Sequence, residues 1–154
     1  MTPLLVTCCH HRLGRAVAMR ASFVIVVHTL VFNADDELLL LRRANTGFMD
    51  GHYALPGGHR QAGEEIVAAA TRECREEARV EVVDIKPVVV MPYDDGVDFI
   101  FEATRWSGTP GIGEPGKCDD LLFAPTDALP SPTVAFVEAS LECRAQGVWF
   151  HPFQ

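Results

Sequence analysis

Positive charge is scarce in this chain: 13 Lys and Arg stand against 21 Asp and Glu in 154 residues, a net charge of −8. A sequence-blind grip on a nucleic-acid backbone therefore lacks its electrostatic source, and DNA or RNA polymers are not expected partners. Paired cysteine is missing too. The five cysteines (Cys8, Cys9, Cys74, Cys118, Cys143) are odd in number, scattered and without CxxC spacing. That pattern excludes a disulfide framework and a zinc ribbon and points to a reducing, cytoplasmic setting. No apolar run approaches the roughly 20 residues that span a bilayer, and no repeat or low-complexity tract occurs. No membrane association is expected.

The first 20 residues contain no acid, three arginines and a short LLV with no charge ahead of it, which is wrong for a secretory signal. They weakly resemble an organelle presequence, but the favoured reading is a loosely ordered extension over residues 1–19, followed by one domain over 20–154. The CCHH run at residues 8–11 does not suggest zinc, because four adjacent residues cannot readily converge on one tetrahedral ion.

Ser22 to Phe32 is rich in β-branched and aromatic residues and predicts a buried strand, with LLLLRR (Leu38–Arg43) returning as its hairpin partner after the turn NADDE. A glycine-rich stretch follows. The clearest helix is expected over Glu64 to Ala78, with Val67, Ala70, Cys74 and Ala78 as its apolar stripe. Val80–Val83, Val88–Met91, Phe99–Thr104 and Leu121–Phe123 read as further strands, with turns at KP and YDDG. A last helix is expected to start at Ser131 and Pro132, end at Gly147, and bury Val134, Val137, Leu141 and Ala145. Several strands and two helices make an α+β fold, a sheet covered by helices.

The stretch RECREEARV (Arg72–Val80) carries the chemistry. At helical spacing Glu73, Glu76 and Glu77 share a face, and their mutual repulsion costs only about 0.2–0.5 kcal/mol per pair, so a solvated face relieved by Arg72 and Arg75 accounts for it when taken alone. Its neighbour changes the balance. LPGGHRQAGE brings a flexible glycine turn into the same helix, where backbone groups can approach an anion closely. Oxygen ligands beside such a loop suit Mg²⁺ or Mn²⁺ bridging to phosphate.

From Gly58 to Val80 the sequence GHRQAGEEIVAAATRECREEARV resembles the Nudix box, GX5EX7REUXEEXGU, with Gly58, Glu64, Arg72, Glu73, Glu76, Glu77 and Val80 in register. YALPGG, Tyr53 to Gly58, is similar to the segment that precedes the box. Cys74 at an aliphatic position is a mild departure. Arg79 in place of the last glycine is a larger one, because that position suits a left-handed residue. The resemblance implies an α/β/α sandwich with a mixed sheet and metal-dependent hydrolysis of a nucleoside diphosphate linkage, foremost a (d)NTP cleaved to (d)NMP and pyrophosphate, as in MutT-like members. Nucleotide sugars, ADP-ribose, dinucleoside polyphosphates, or a noncatalytic nucleotide-binding module are the alternatives.

By position, the resemblance makes Glu73, Glu76 and Glu77 the metal-binding carboxylates, adds the Gly58 carbonyl, and gives Glu64 and Arg72 a structural role. The general base is expected from Glu73, Glu76 or the loop acid Glu114, with Asp119 and Asp120 weaker candidates. Arg42, Arg43, Tyr53 and His59 are candidates for substrate binding, and Phe48, Tyr53, Phe99 and Phe101 for stacking on a base. Small members of the family are monomers or homodimers, so a homodimer is compatible with the resemblance.

Overall fold

Four consecutive leucines make sense only in a strand buried on both faces. Leu38 and Leu40 of β2 (Leu38–Arg43) pack into one core with Leu30, Met91, Ile100, Val137 and Cys143, while Leu39 and Leu41 pack into another with Val31, Cys74, Ala78 and Val80. The two cores belong to the two helices, α1 (Ile66–Ala78) and α2 (Ala135–Gln146), one on each side. The result is the expected α/β/α sandwich. The computed structural model describes residues 22–153. The extension expected over residues 1–19, with its CCHH run, lies outside them.

Two sheets form the middle layer. The first has the order β4 (Gly57–His59), β1 (Val24–Val31), β6 (Gly96–Ser107), β5 (Glu81–Tyr93), with β1 and β6 parallel and the other pairs antiparallel. The second is antiparallel, in the order β3 (Tyr53–Ala54), β2, β7 (Cys118–Ala124). The expected hairpin of β1 with β2 is thus corrected. Only the bridge Phe32–Leu38 joins them at the turn, and the strands then part into different sheets. Their apolar composition reflects burial against helices, not pairing with each other.

The KP segment is not a turn. Lys86 and Pro87 lie inside β5, where a register shift between Pro87 and Val89 absorbs the missing donor. This strand is the sheet's edge in the ladder, which is where proline is tolerated. Helix α2 also begins later than expected, at Ala135, because Val134 is still extended and stands as the cap residue. Its buried residues are Val137, Ser140 and Cys143, so Ala145 faces outward. Val67 is likewise exposed, leaving Ala69, Ala70, Glu73, Cys74 and Ala78 as the buried side of α1. Small residues there let the helix lie close to the sheet. Among the described residues no helix is long and apolar enough to cross a membrane.

Arg79 keeps the geometry that a glycine would adopt, with φ 56° and ψ 29° at the end of α1. Its N–H donates to the Arg75 carbonyl, and that of Val80 to the Cys74 carbonyl. A left-handed non-glycine residue costs about 1–2 kcal/mol, and a glycine there would return part of this as unfolded-chain entropy, about 0.4–1 kcal/mol. Arg79→Gly is therefore expected to stabilise the protein by on the order of 1 kcal/mol, read as a higher urea midpoint with an unchanged slope.

Candidate active site

The helix end and a glycine-rich loop assemble one wall of the site. The last carbonyls of α1 have no partner within the helix, and the loop after β6 supplies two: Gly111 N–H donates to Ala78 O at 3.0 Å and Gly113 N–H to Glu77 O at 2.8 Å. The approach is so close that a Cβ on Gly113 would lie 1.8 Å from the Glu76 carbonyl oxygen. Glycine at this position brings the next residue, Glu114, to the cavity that Glu73, Glu76 and Glu77 also line.

Arg72 organises those acids. Its guanidinium reaches Glu64 at 2.8 Å, Glu73 at 2.8 Å and Glu76 at 2.9 Å, and donates to the His59 carbonyl at 3.1 Å. Glu64 is not on the helix; it precedes it and folds back, its Oε2 also accepting from Gln61 N–H. The eight-residue separation between Glu64 and Arg72 is closed by that loop, which explains why helical spacing alone does not bring them together. Glu77 turns the other way and accepts a hydrogen bond from Gly57 N–H at 2.9 Å. Burial first, with Glu73 and Glu114 adding repulsion against the relief from Gly57, raises its carboxyl to about 7.

Gly58 sits against the acids: a Cβ there would come within 2.8 Å of the Glu73 carboxylate. The donor set is therefore all oxygen, three carboxylates plus a backbone segment with no side chain to obstruct it, which suits a hard divalent cation. Among the described residues no three acidic, His or Cys side chains already converge at ligand spacing. Glu73 and Glu76 lean on Arg72 and would have to turn from it.

The cavity holds about 1300 Å³. Arg42, Arg43 and His59, the candidates for substrate binding, line it, but Arg42 is paired with Asp119 at 2.7 Å, and Arg43 holds the following loop through Phe48 O and Thr46 Oγ1. Tyr53 does not line it. Its ring is in the core and its hydroxyl donates to Asp120, which occupies both candidates. Phe101 is buried in the core against α1 and Phe99 packs beside it, so neither is a stacking residue here. The aromatics that do line the cavity are Phe48, Tyr93, Phe136 and Phe153. The last arrives because the chain after α2 runs along the outer edge of β5, with Val90 N–H bonded to Trp149 O and Phe153 N–H to Pro92 O.

Comparison with known proteins gives the family. The NUDIX domain model matches residues 22–142. A MutT NUDIX hydrolase from Burkholderia pseudomallei superposes with TM-score 0.72 at 25% identity, over 77% of this chain and 95% of its own. A MutT protein from Methanosarcina mazei gives TM-score 0.73 at 18% identity, over 84% and 98% of the two chains, a likeness of fold. An 8-oxo-dGDP phosphatase, NUDT18, from Danio rerio is 31% identical over 94 residues, which are 60% of this chain but only 29% of that protein. The chain belongs to the Nudix family and is a MutT-like Nudix hydrolase.

The Glu64–Arg72 pair makes a pH-dependent prediction. Arg72, followed by the Gln61 N–H, holds Glu64 at about 2 instead of 4.5. A depressed carboxyl contributes stability above its unfolded value and loses it as pH falls through its folded value. Glu64→Gln is expected to lower the urea midpoint at pH 7, and the gap from wild type should close between pH 4.5 and 2. A gap independent of pH would remove the ion pair as its cause.

Proposed function

We propose that the protein hydrolyses nucleoside or deoxynucleoside triphosphates to the monophosphate and pyrophosphate. The observation that carries this reading is the gathering of Glu73, Glu76, Glu77 and Glu114 on one wall of a single large cavity, a density of negative charge that favours a cation-bridged polyphosphate. Glu73, Glu76, Glu77 and the Gly58 carbonyl would hold Mg²⁺ or Mn²⁺. When bound, the ion supplies charge neutralisation for the phosphates and stabilises the leaving group.

The chain's own residues do the rest. Arg72 keeps Glu73 and Glu76 ordered. Glu114, presented by the Gly113 turn and tethered by Lys117 Nζ at 3.1 Å to each carboxylate oxygen, is the proposed base, with Glu73 and Glu76 as the alternatives within the helix. It takes a proton from the attacking water as the new phosphorus–oxygen bond forms and the anhydride bond breaks, releasing pyrophosphate. Lys117, set free as Glu114 becomes protonated, is placed to meet phosphate oxygen. Arg42, Arg43 and His59 lie along the cavity where a triphosphate would pass.

A second reading, a nucleoside diphosphate cleaved to monophosphate and orthophosphate, is favoured by the relative named as an 8-oxo-dGDP phosphatase. The products decide between them: a screen across nucleotide classes with Mg²⁺ or Mn²⁺ should release pyrophosphate, not orthophosphate. No turnover of any class would end the enzymatic reading.

Glu77→Gln is expected to lower kcat at least 100-fold while raising the melting temperature in EDTA at pH 8. The sign follows from the raised carboxyl: in the native state it resists ionisation, so it contributes stability below about 4.5 that is lost as pH rises through about 7. The uncharged amide avoids that loss, and the stability gain should vanish near pH 4.5. Glu114→Gln is expected to lower kcat 100-fold or more with little change in metal affinity; a silent result would place the base on Glu73 or Glu76.

A further inference from the structure

The edge strand β4 is almost without side chains at Gly57 and Gly58, and the cavity is lined from both sides of it. On the α1 side stand the carboxylates already described. On the α2 side stand His28, Met91, Tyr93, Asp98, Phe136 and Phe153. A phosphate-linked ligand held at the first group has its organic part in the second, so what is polar there reads that part.

His28 and Asp98 are the buried polar pair in that end, at 8% and 7% exposure. They come from adjacent parallel strands, β1 and β6, with Nδ1 of His28 2.7 Å from Oδ2 of Asp98. A carboxylate only accepts, so Nδ1 carries the hydrogen and the ring orientation is set. The Phe136 ring of α2 packs on the imidazole at 4.5 Å between centroids, and Gly57 lies so close beneath it that a Cβ would be 2.4 Å from Cδ2. Three sides are thus fixed, and among the described residues the ring's one hydrogen bond is that of Nδ1 to Asp98.

We propose that His28, oriented by Asp98, is the specificity residue of the cavity, its Nε2–H donating to a ring carbonyl of a planar base such as a 6-oxopurine. This inference rests on the nucleotide-hydrolase reading above for the placement of the phosphates. The close pairing with the buried Asp98 carboxylate favours the imidazolium form, which has a donor at Nε2. Burial opposes the charge, but the Asp98 carboxylate counters it by charge and by hydrogen bond, and His28 sits above the ordinary histidine range. The buried Oδ1 of Asp98 has no partner among the described residues, a cost that a purely packing role would not require. Asp98 is here a positioning residue.

The test is equilibrium binding, which needs no turnover. Calorimetry with inosine and adenosine 5′-monophosphates, in magnesium chloride, is expected to show the 6-oxo compound bound at least tenfold more tightly than the 6-amino one. His28→Phe keeps the ring and its packing but removes both nitrogens, and should bring the two affinities within threefold, with a lower melting temperature because the buried Asp98 carboxylate loses its partner. His28→Gln, whose amide can present either a donor or an acceptor, should also bring them within threefold, and decides the matter if the phenyl variant does not fold. Equal affinities in the wild type, binding of neither compound, or a preserved preference in a folded His28 variant would overturn the assignment. A protein that shows the preference and its loss in the variants but hydrolyses no nucleotide would leave this inference standing and remove only the hydrolytic reading.

Discussion

One guanidinium carries more of this site than any other group. Arg72 touches Glu64 in the loop, the His59 carbonyl in the edge strand, and Glu73 and Glu76 in its own helix. Three carboxylates brought to one cation would repel each other strongly if it were removed, and the side chain is 18% exposed, so water replaces little of what it supplies. The rigid, forked donor set also matters. Lysine offers one point charge and could not hold loop, strand and helix at fixed angles to each other.

The same economy holds at the other end of the helix, with backbone instead of charge. Gly111 and Gly113 answer the carbonyls of Ala78 and Glu77, and the two linkages tie the loop after β6 to the helix that bears the acids. Glu114 therefore moves with Glu76 and Glu77 even though 37 residues separate it from the latter. Arg79 reaches the left-handed conformation without being glycine, which shows that the turn is imposed by these surrounding bonds and tolerated by the residue. Its positive charge beside the negative end of the helix dipole offsets part of the strain.

What the sequence made legible is local. The box, its acids and the loop ahead of it are held by contacts within about one helix and its lead-in, and periodicity plus glycine placement reveal them. Partner choice is not local. LLLLRR announces a strand buried on both faces but not which sheet it joins, so its pairing with β7 instead of β1 could not be read from a turn signal. The proline of KP looked like a turn because chemistry alone does not say that a strand is an edge. Val67 fitted the stripe of α1 by spacing, yet the helix turns its alanines inward; the close approach of helix to sheet, a tertiary fact, decided between them.

The site divides along the same line. Metal-ligating acids must be near one another, and a helix places them together within five residues, so their signal survives in a short motif. A group that reads the organic part of a ligand has no such need. His28 and Asp98 are 70 residues apart and meet because β1 and β6 run parallel side by side; Phe136 and Phe153 reach the same end of the cavity from α2 and the chain beyond it. His28 stood in the sequence as a polar interruption of an apolar run, and that was its one signal: a buried strand admits such a residue only where a partner waits across the sheet. On the proposed reading the metal ligands are therefore written in contiguous residues, and the base Glu114 and the groups that choose the substrate in dispersed ones, which allows the second set to change while the first stays fixed.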